Sequence, residues 1–142
     1  SAINGPAFRH AEIPLLCDIV LASDDTEIQD SAHFINGLVP GDGMHVVFPL
    51  LMGLNRGRYF LLTGQTLSAA EAQDLGLVNE VLPRGRLMAR ARELARELSK
   101  QPPLTLRYTR MLLTHQLKQQ MHSLLSYGLA LEGLAANDLQ PE

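Results

Sequence analysis

The chain has 142 residues, 46% of them hydrophobic, with a formal charge of −3 and one cysteine. That length and polarity describe one globular unit able to bury a core. The weak negative charge and lack of a basic stripe argue against nucleic acid as a partner, and no apolar run approaches the roughly 18 residues of a membrane helix.

The first stretch, "SAINGPAF", lacks a methionine and runs at once into a glycine-proline turn. It reads as a chain entered partway through, with an upstream portion expected. A lone cysteine, Cys17, leaves no intrachain disulfide and favours a reducing compartment, so a cytoplasmic location is expected.

"HAEIPLLCDIVLAS" ends in the β-branched run "DIVLA", which predicts a buried strand; "HAEIPLLC" before it is a short helix or an extension of that strand. "DDTEIQDS" holds turn formers and one short strand. "NGLVPGDG" is a loop, either exposed or lining a site. "MHVVFPLLMG" is continuously apolar and predicts a buried helix stopped by Gly53. "NRGRYFLLTG" continues as a second helical piece. In "SAAEAQDLG", Ser68 and Glu71 have capping-box spacing and Gly76 sits where the helix should stop.

"LVNEVLP" predicts another short strand. Residues 86–100 form an amphipathic helix with Leu87, Ala91, Leu94 and Leu98 on one face, ended by Pro102 and Pro103. Pro103 can itself start the next helix, where a missing N–H costs little. From Leu104 to about Asn137 helical residues dominate, with Tyr108, Met111, Leu112 and His115 sharing a face; Gly128 and Gly133 interrupt the tail, so a kink or a second helix is expected. Strands in the first half and helices in the second give an α/β class.

The chemistry-bearing residues centre on "SAHFINGLVPGDG". Nine positions separate His33 from Asp42, about 30 Å if fully extended, but a glycine-proline-glycine loop can double back and join them. An imidazole near its working pH can take a proton from water, and a carboxylate on the other ring nitrogen fixes its tautomer. A turn aspartate beside an unrelated loop histidine is the plainer reading of the same spacing. His10 in "FRHAEIP" needs a partner if it lines a site. Glu132 is one carboxylate in the apolar stretch "LALEGLAAND", exposed or turned inward with a raised pKa. His33, Asp42 and His45 match no familiar zinc spacing, so no metal is expected. His115 and His122 read as packing or surface residues. Phe34, Ile35, Leu38 and Val39 either shape a pocket or belong to the core, with core expected for most. No phosphate loop, G-x-G-x-x-G or G-x-S-x-G is present.

Taken together, "CDIVLAS", "INGLVPGDG", "LLTGQTLSAAEAQDLGLVNEVLP" and the helical tail resemble the second half of a crotonase-superfamily protein, the enoyl-CoA hydratase and isomerase fold. The resemblance implies a crotonase-like (ClpP/crotonase) α/β fold. Residues 1–85 would form the second half of the core and residues 86–142 a helical trimerisation region. It also implies a missing upstream half that completes the site, and a homotrimer or hexamer. The hydratase pattern has two glutamates here; Glu12 stands at the first and His33 replaces the second. The glycine-rich turn of hydratases reads "NGPAFRHAE", with bulky Phe8, Arg9 and His10.

Those departures resemble 6-oxocamphor hydrolase and related β-diketone hydrolases, in which His10, His33, Asp42 and Glu132 would be catalytic. The implied reaction is hydrolytic cleavage of a cyclic β-diketone to a keto acid, without cofactor. In it Asp42 orients His33, His33 activates water, and His10 stabilises an oxyanion. An acyl-CoA hydratase or isomerase using Glu12, or a silent assembly module, are the alternatives.

Overall fold

The computed structural model describes residues 1–139. The last three residues of the expected 86–142 region therefore lie outside the described residues.

A parallel three-stranded sheet forms one centre. Strand β1 (Ala2–Ile3) pairs with β2 (Leu21–Ser23), and β2 pairs with β5 (Glu80–Leu82), giving the order β1-β2-β5. Parallel neighbours need crossovers. The first runs through the one-turn helix α1 (Glu12–Leu15). The second runs through β3 (Glu27–Ile28), a 3-10 turn (Phe34–Asn36), α2 (Met44–Met52), α3 (Leu54–Thr63), β4 (Leu67–Ser68) and α4 (Ala69–Asp74). β3 and β4 make a separate antiparallel pair. β2 is buried along its whole length, as expected for a central parallel strand.

The apolar run 44–52 is a helix as its composition predicts, buried at Met44, Val46, Val47 and Phe48 but exposed at Leu50 and Leu51, and it folds back on α3 across Gly53. Phe48 and Phe60 stack between them with centroids 4.5 Å apart. They join Ile3, Val20, Ala22, Ile28, Val47 and Leu67 in one core. The capping box at α4 is made as expected: Ser68 Oγ accepts the Glu71 amide, and Glu71 Oε2 accepts the Ser68 amide at 2.8 Å.

Helix α5 (Arg84–Leu98) begins two residues before its expected start. Arg90 forks onto both carboxylate oxygens of Glu80 at 2.8 Å, tying the helix to β5. Of the predicted apolar face only Leu87 is fully buried, and Leu98 is exposed. Helix α6 (Pro103–Leu113) starts at Pro103, as foreseen.

The tail departs from expectation. It breaks at Thr114, whose hydroxyl donates to the Arg110 carbonyl at 2.7 Å, and α7 (His115–Ala135) then runs straight through Gly128 and Gly133. The expected shared face of Tyr108, Met111, Leu112 and His115 is split by that break and exposed throughout. Gly128 has a packing role instead: a Cβ there would strike the His45 ring and the Gly41 carbonyl. Among the described residues no helix is long and apolar enough to cross a membrane.

Candidate active site

The loop from Gly37 to Gly43 doubles back, and the fold brings His10, His33, Asp42 and Glu132 together. His33 sits immediately before the 3-10 turn, with its side chain 5% exposed. Its Nδ1 lies 2.7 Å from Oδ1 of Asp30, itself fully buried. Its Nε2 faces Oδ2 of Asp42 at 3.5 Å and Oε1 of Glu132 at 3.9 Å.

This corrects the expected role of Asp42. The carboxylate on Nδ1 is that of Asp30, three residues upstream in the same turn; Asp42 approaches the opposite edge of the ring. Local geometry gives the reason. Asp30 Oδ1 also faces the backbone N–H groups of Ala32 and His33, each at 3.3 Å, so a short aspartate turn delivers it beneath the imidazole. Asp42 is constrained from the other side, since its Oδ1 accepts the Met44 amide at 3.4 Å. That leaves Oδ2 turned to the histidines. Gly43, with φ 119°, permits the tight entry into α2 that this requires. Asp30 carries no periodic signal in the sequence; only its i, i+3 spacing from His33 could have marked it.

His10 is built differently. Its side chain is 59% exposed, and its Nδ1 is shared between Glu12 Oε1 at 3.2 Å and Asp42 Oδ2 at 3.1 Å. Its φ of 50° is the only positive value at a non-glycine residue among the described residues. Such a conformation costs free energy for a residue with a Cβ, and here the ring it carries lies beside Glu12 and Asp42.

Glu12 is buried, and that burial, reinforced by the nearby Asp42 charge, pushes its pKa above the ordinary carboxylate range. Oxygens of four acids converge here without a hydrogen-bond donor among the described residues: Glu12 Oε2, Asp30 Oδ2, Asp42 Oδ2 and Glu132 Oε2. Asp42 Oδ2 is close to both imidazoles, yet neither approach is aligned as a hydrogen bond. Buried acceptors of this kind call for donors such as water or a hydroxyl.

Glu132 arrives on α7, where Gly41 and Gly128 meet backbone to backbone. A Cβ on Gly41 would fall on the Gly128 carbonyl and 2.9 Å from Glu132 Cβ. His45, weighed beside His33 and Asp42 as a metal ligand, turns away toward the carbonyls of Pro40 and Leu124. A different trio, His10, Glu12 and Asp42, has donor atoms within 4.8 Å of one another and could hold a cation. His115 and His122 are exposed, as expected. Phe34 and Ile35, expected in the core, are half exposed; a 3-10 turn at the surface carries them outward.

A family model described as enoyl-CoA hydratase/isomerase matches residues 1–132. Among curated relatives, a putative enoyl-CoA hydratase of Thermus thermophilus is 34% identical over 117 residues, 80% of this chain and 44% of the relative. The enoyl-CoA isomerase/hydratase fer4 of Mycosarcoma maydis is 32% identical over 78% of this chain and 41% of its own. Among solved structures, a β-diketone hydrolase from the cyanobacterium Anabaena, bound to (S)-3-oxocyclohexyl acetic acid, is 53% identical. It superposes with a TM-score of 0.94 over 97% of this chain and 55% of that one. An enoyl-CoA hydratase from Mycobacterium tuberculosis is 29% identical, with a TM-score of 0.85 over 96% of this chain and 62% of that one. The chain thus spans about half the length of the proteins it matches, and its α/β fold is the one it shares with these crotonase-fold structures.

Proposed function

The chain belongs to the enoyl-CoA hydratase/isomerase family, and on that premise we propose that its site hydrolyses a carbon–carbon bond of a cyclic β-diketone. The observation that carries this reading is the buried Asp30–His33 pair, with the free edge of the imidazole turned onto the Asp42 and Glu132 carboxylates.

With Asp30 accepting from Nδ1–H, the lone pair of a neutral His33 sits on Nε2. A water held beside it by Asp42 Oδ2 gives its proton to Nε2 as its oxygen attacks one ketone. Asp30 supports the imidazolium that forms. His10, whose Nδ1 is hydrogen-bonded to Glu12 and lies beside Asp42, offers Nε2 to the developing oxyanion. Collapse breaks the bond between the attacked carbon and the α-carbon, and its electron pair passes onto the second carbonyl as an enolate. Protonation of the α-carbon, from His33 directly or through Glu132, yields the keto acid. The electron sink is the substrate's own second carbonyl, so the reading invokes no cofactor. It is a reading for the complete protein, as a homotrimer or hexamer. The exposed apolar residues of α6 and α7, Leu112 and Leu134 among them, support association.

Glu12 is the observation that favours a second reading, hydration or isomerisation of an acyl-CoA thioester. It is buried, its pKa is raised, and by resemblance it stands at the first of the two glutamates of the hydratase pattern. One experiment separates the two. The complete protein is incubated with a bicyclic β-diketone and, in parallel, with a short enoyl-CoA. Keto acid from the diketone alone supports the hydrolase; turnover of the thioester alone overturns it.

A further inference from the structure

We infer that His45 is a positioning residue that fastens the Asp42 loop to the Glu132 helix and so sets the spacing of the two carboxylates. Asp42 and Glu132 lie ninety residues apart in the sequence and belong to different elements. His45, in the first turn of α2, stands between them. Its Nδ1 is 2.9 Å from the carbonyl of Pro40, in the loop that carries Asp42. Its Nε2 is 3.3 Å from the carbonyl of Leu124, two turns before Glu132 on α7.

Both partners are acceptors, so each contact needs an N–H from the ring. A neutral imidazole carries one and can serve one carbonyl at a time; the imidazolium serves both. The ring reaches α7 only because residue 128 is glycine, since a Cβ there would overlap His45 itself. The same missing side chain lets Gly41 and Gly128 touch, which brings Asp42 and Glu132 to the two sides of His33 Nε2. The two carbonyls that His45 meets, of Pro40 and Leu124, are not among the proposed reacting groups. Its effect passes through the distance between loop and helix.

The test uses the complete protein and two readouts. The first does not depend on what the enzyme turns over. His45→Phe keeps a ring and removes both N–H groups, and amide hydrogen exchange across residues 120–132 is expected to speed up about tenfold. Unchanged protection there overturns the inference. Two amide variants separate the arms: Asn places its nitrogen near the Nδ1 position and Gln near Nε2. His45→Gln is expected to restore slow exchange, whereas His45→Asn should behave as Phe does. Equal behaviour of the two amides overturns the bridging role, including where Phe loosens the whole fold.

The second readout rests on the hydrolase reading. His45→Phe is expected to lower kcat about tenfold with KM little changed, and to lower it less than about twofold in a Glu132→Ala background. Losses that multiply in the double variant would make His45 a general prop and overturn the positioning role. A wild-type protein with no diketone turnover counts against the hydrolase reading, and the exchange result then decides the role of His45.

Discussion

The two histidines of the site are held in opposite ways. His33 is buried, with one short contact to a carboxylate that backbone amides also face. His10 is mostly exposed, in a strained backbone conformation, and shares one nitrogen between two acids. The first is fixed by its own turn, as suits the base of the proposed reaction. The second is half-anchored and mostly exposed, as suits the proposed oxyanion donor. In that reading rigidity belongs to proton transfer and adaptability to carbonyl binding.

Variants at four positions would break or sharpen that contrast. His33→Ala removes the base and should lower diketone turnover by about a thousandfold in a steady-state assay. A near-native rate would move the chemistry elsewhere. His10→Phe removes the oxyanion donor while keeping the ring in place. A loss of about a hundredfold, carried in kcat, is expected from pre-steady-state and steady-state rates.

Asp30→Asn tests the anchoring more finely. Two backbone N–H groups face Oδ1, so the amide should keep its carbonyl oxygen there and preserve the His33 tautomer. Only the charge is lost, and a drop of about tenfold is expected. Asp30→Ala loses the acceptor as well and should fall further; equal losses would show that the charge is all that matters.

The smallest effect is on stability. Glu12 has a raised pKa in the folded state, so the native protein holds its proton more tightly than the unfolded chain does. Stability then falls as pH rises from about 4.5 through the raised value, and levels off beyond it. Glu12→Gln should remove that slope and raise Tm by a few degrees near neutral pH, with little change at pH 4. Calorimetry across that range would show an unaltered slope if Glu12 were already ionised and well solvated.

Much of this contrast could be read from the residues before any coordinates, and the limits are instructive. His33 and Asp42 are marked by their spacing in a glycine-proline loop, and His10 and Glu132 as charges that call for a partner; what groups the four as one site is the resemblance to β-diketone hydrolases. The loop around Asp42 announced itself through glycine and proline. The Ser68–Glu71 box and the Pro103 helix start were equally legible, because each is decided within one turn of chain. Asp30 was not, for its neighbours are polar and nothing marks which turn aspartate will lie under a ring. The break at Thr114 was missed in favour of Gly128. Glycine weakens a helix locally, but contact with a second backbone outweighs that weakness. Phe34 and Ile35 were expected inside because hydrophobicity says nothing about which side of a surface turn faces out.

The meeting of Gly41 and Gly128 has a practical consequence for anyone redesigning this protein. Because main chain rests on main chain there, no side-chain exchange can tune the gap; any replacement only pries it open. Mutant libraries should hold both positions constant and place their diversity at half-exposed side chains such as Phe8 and Phe34, whose replacement leaves that backbone contact untouched.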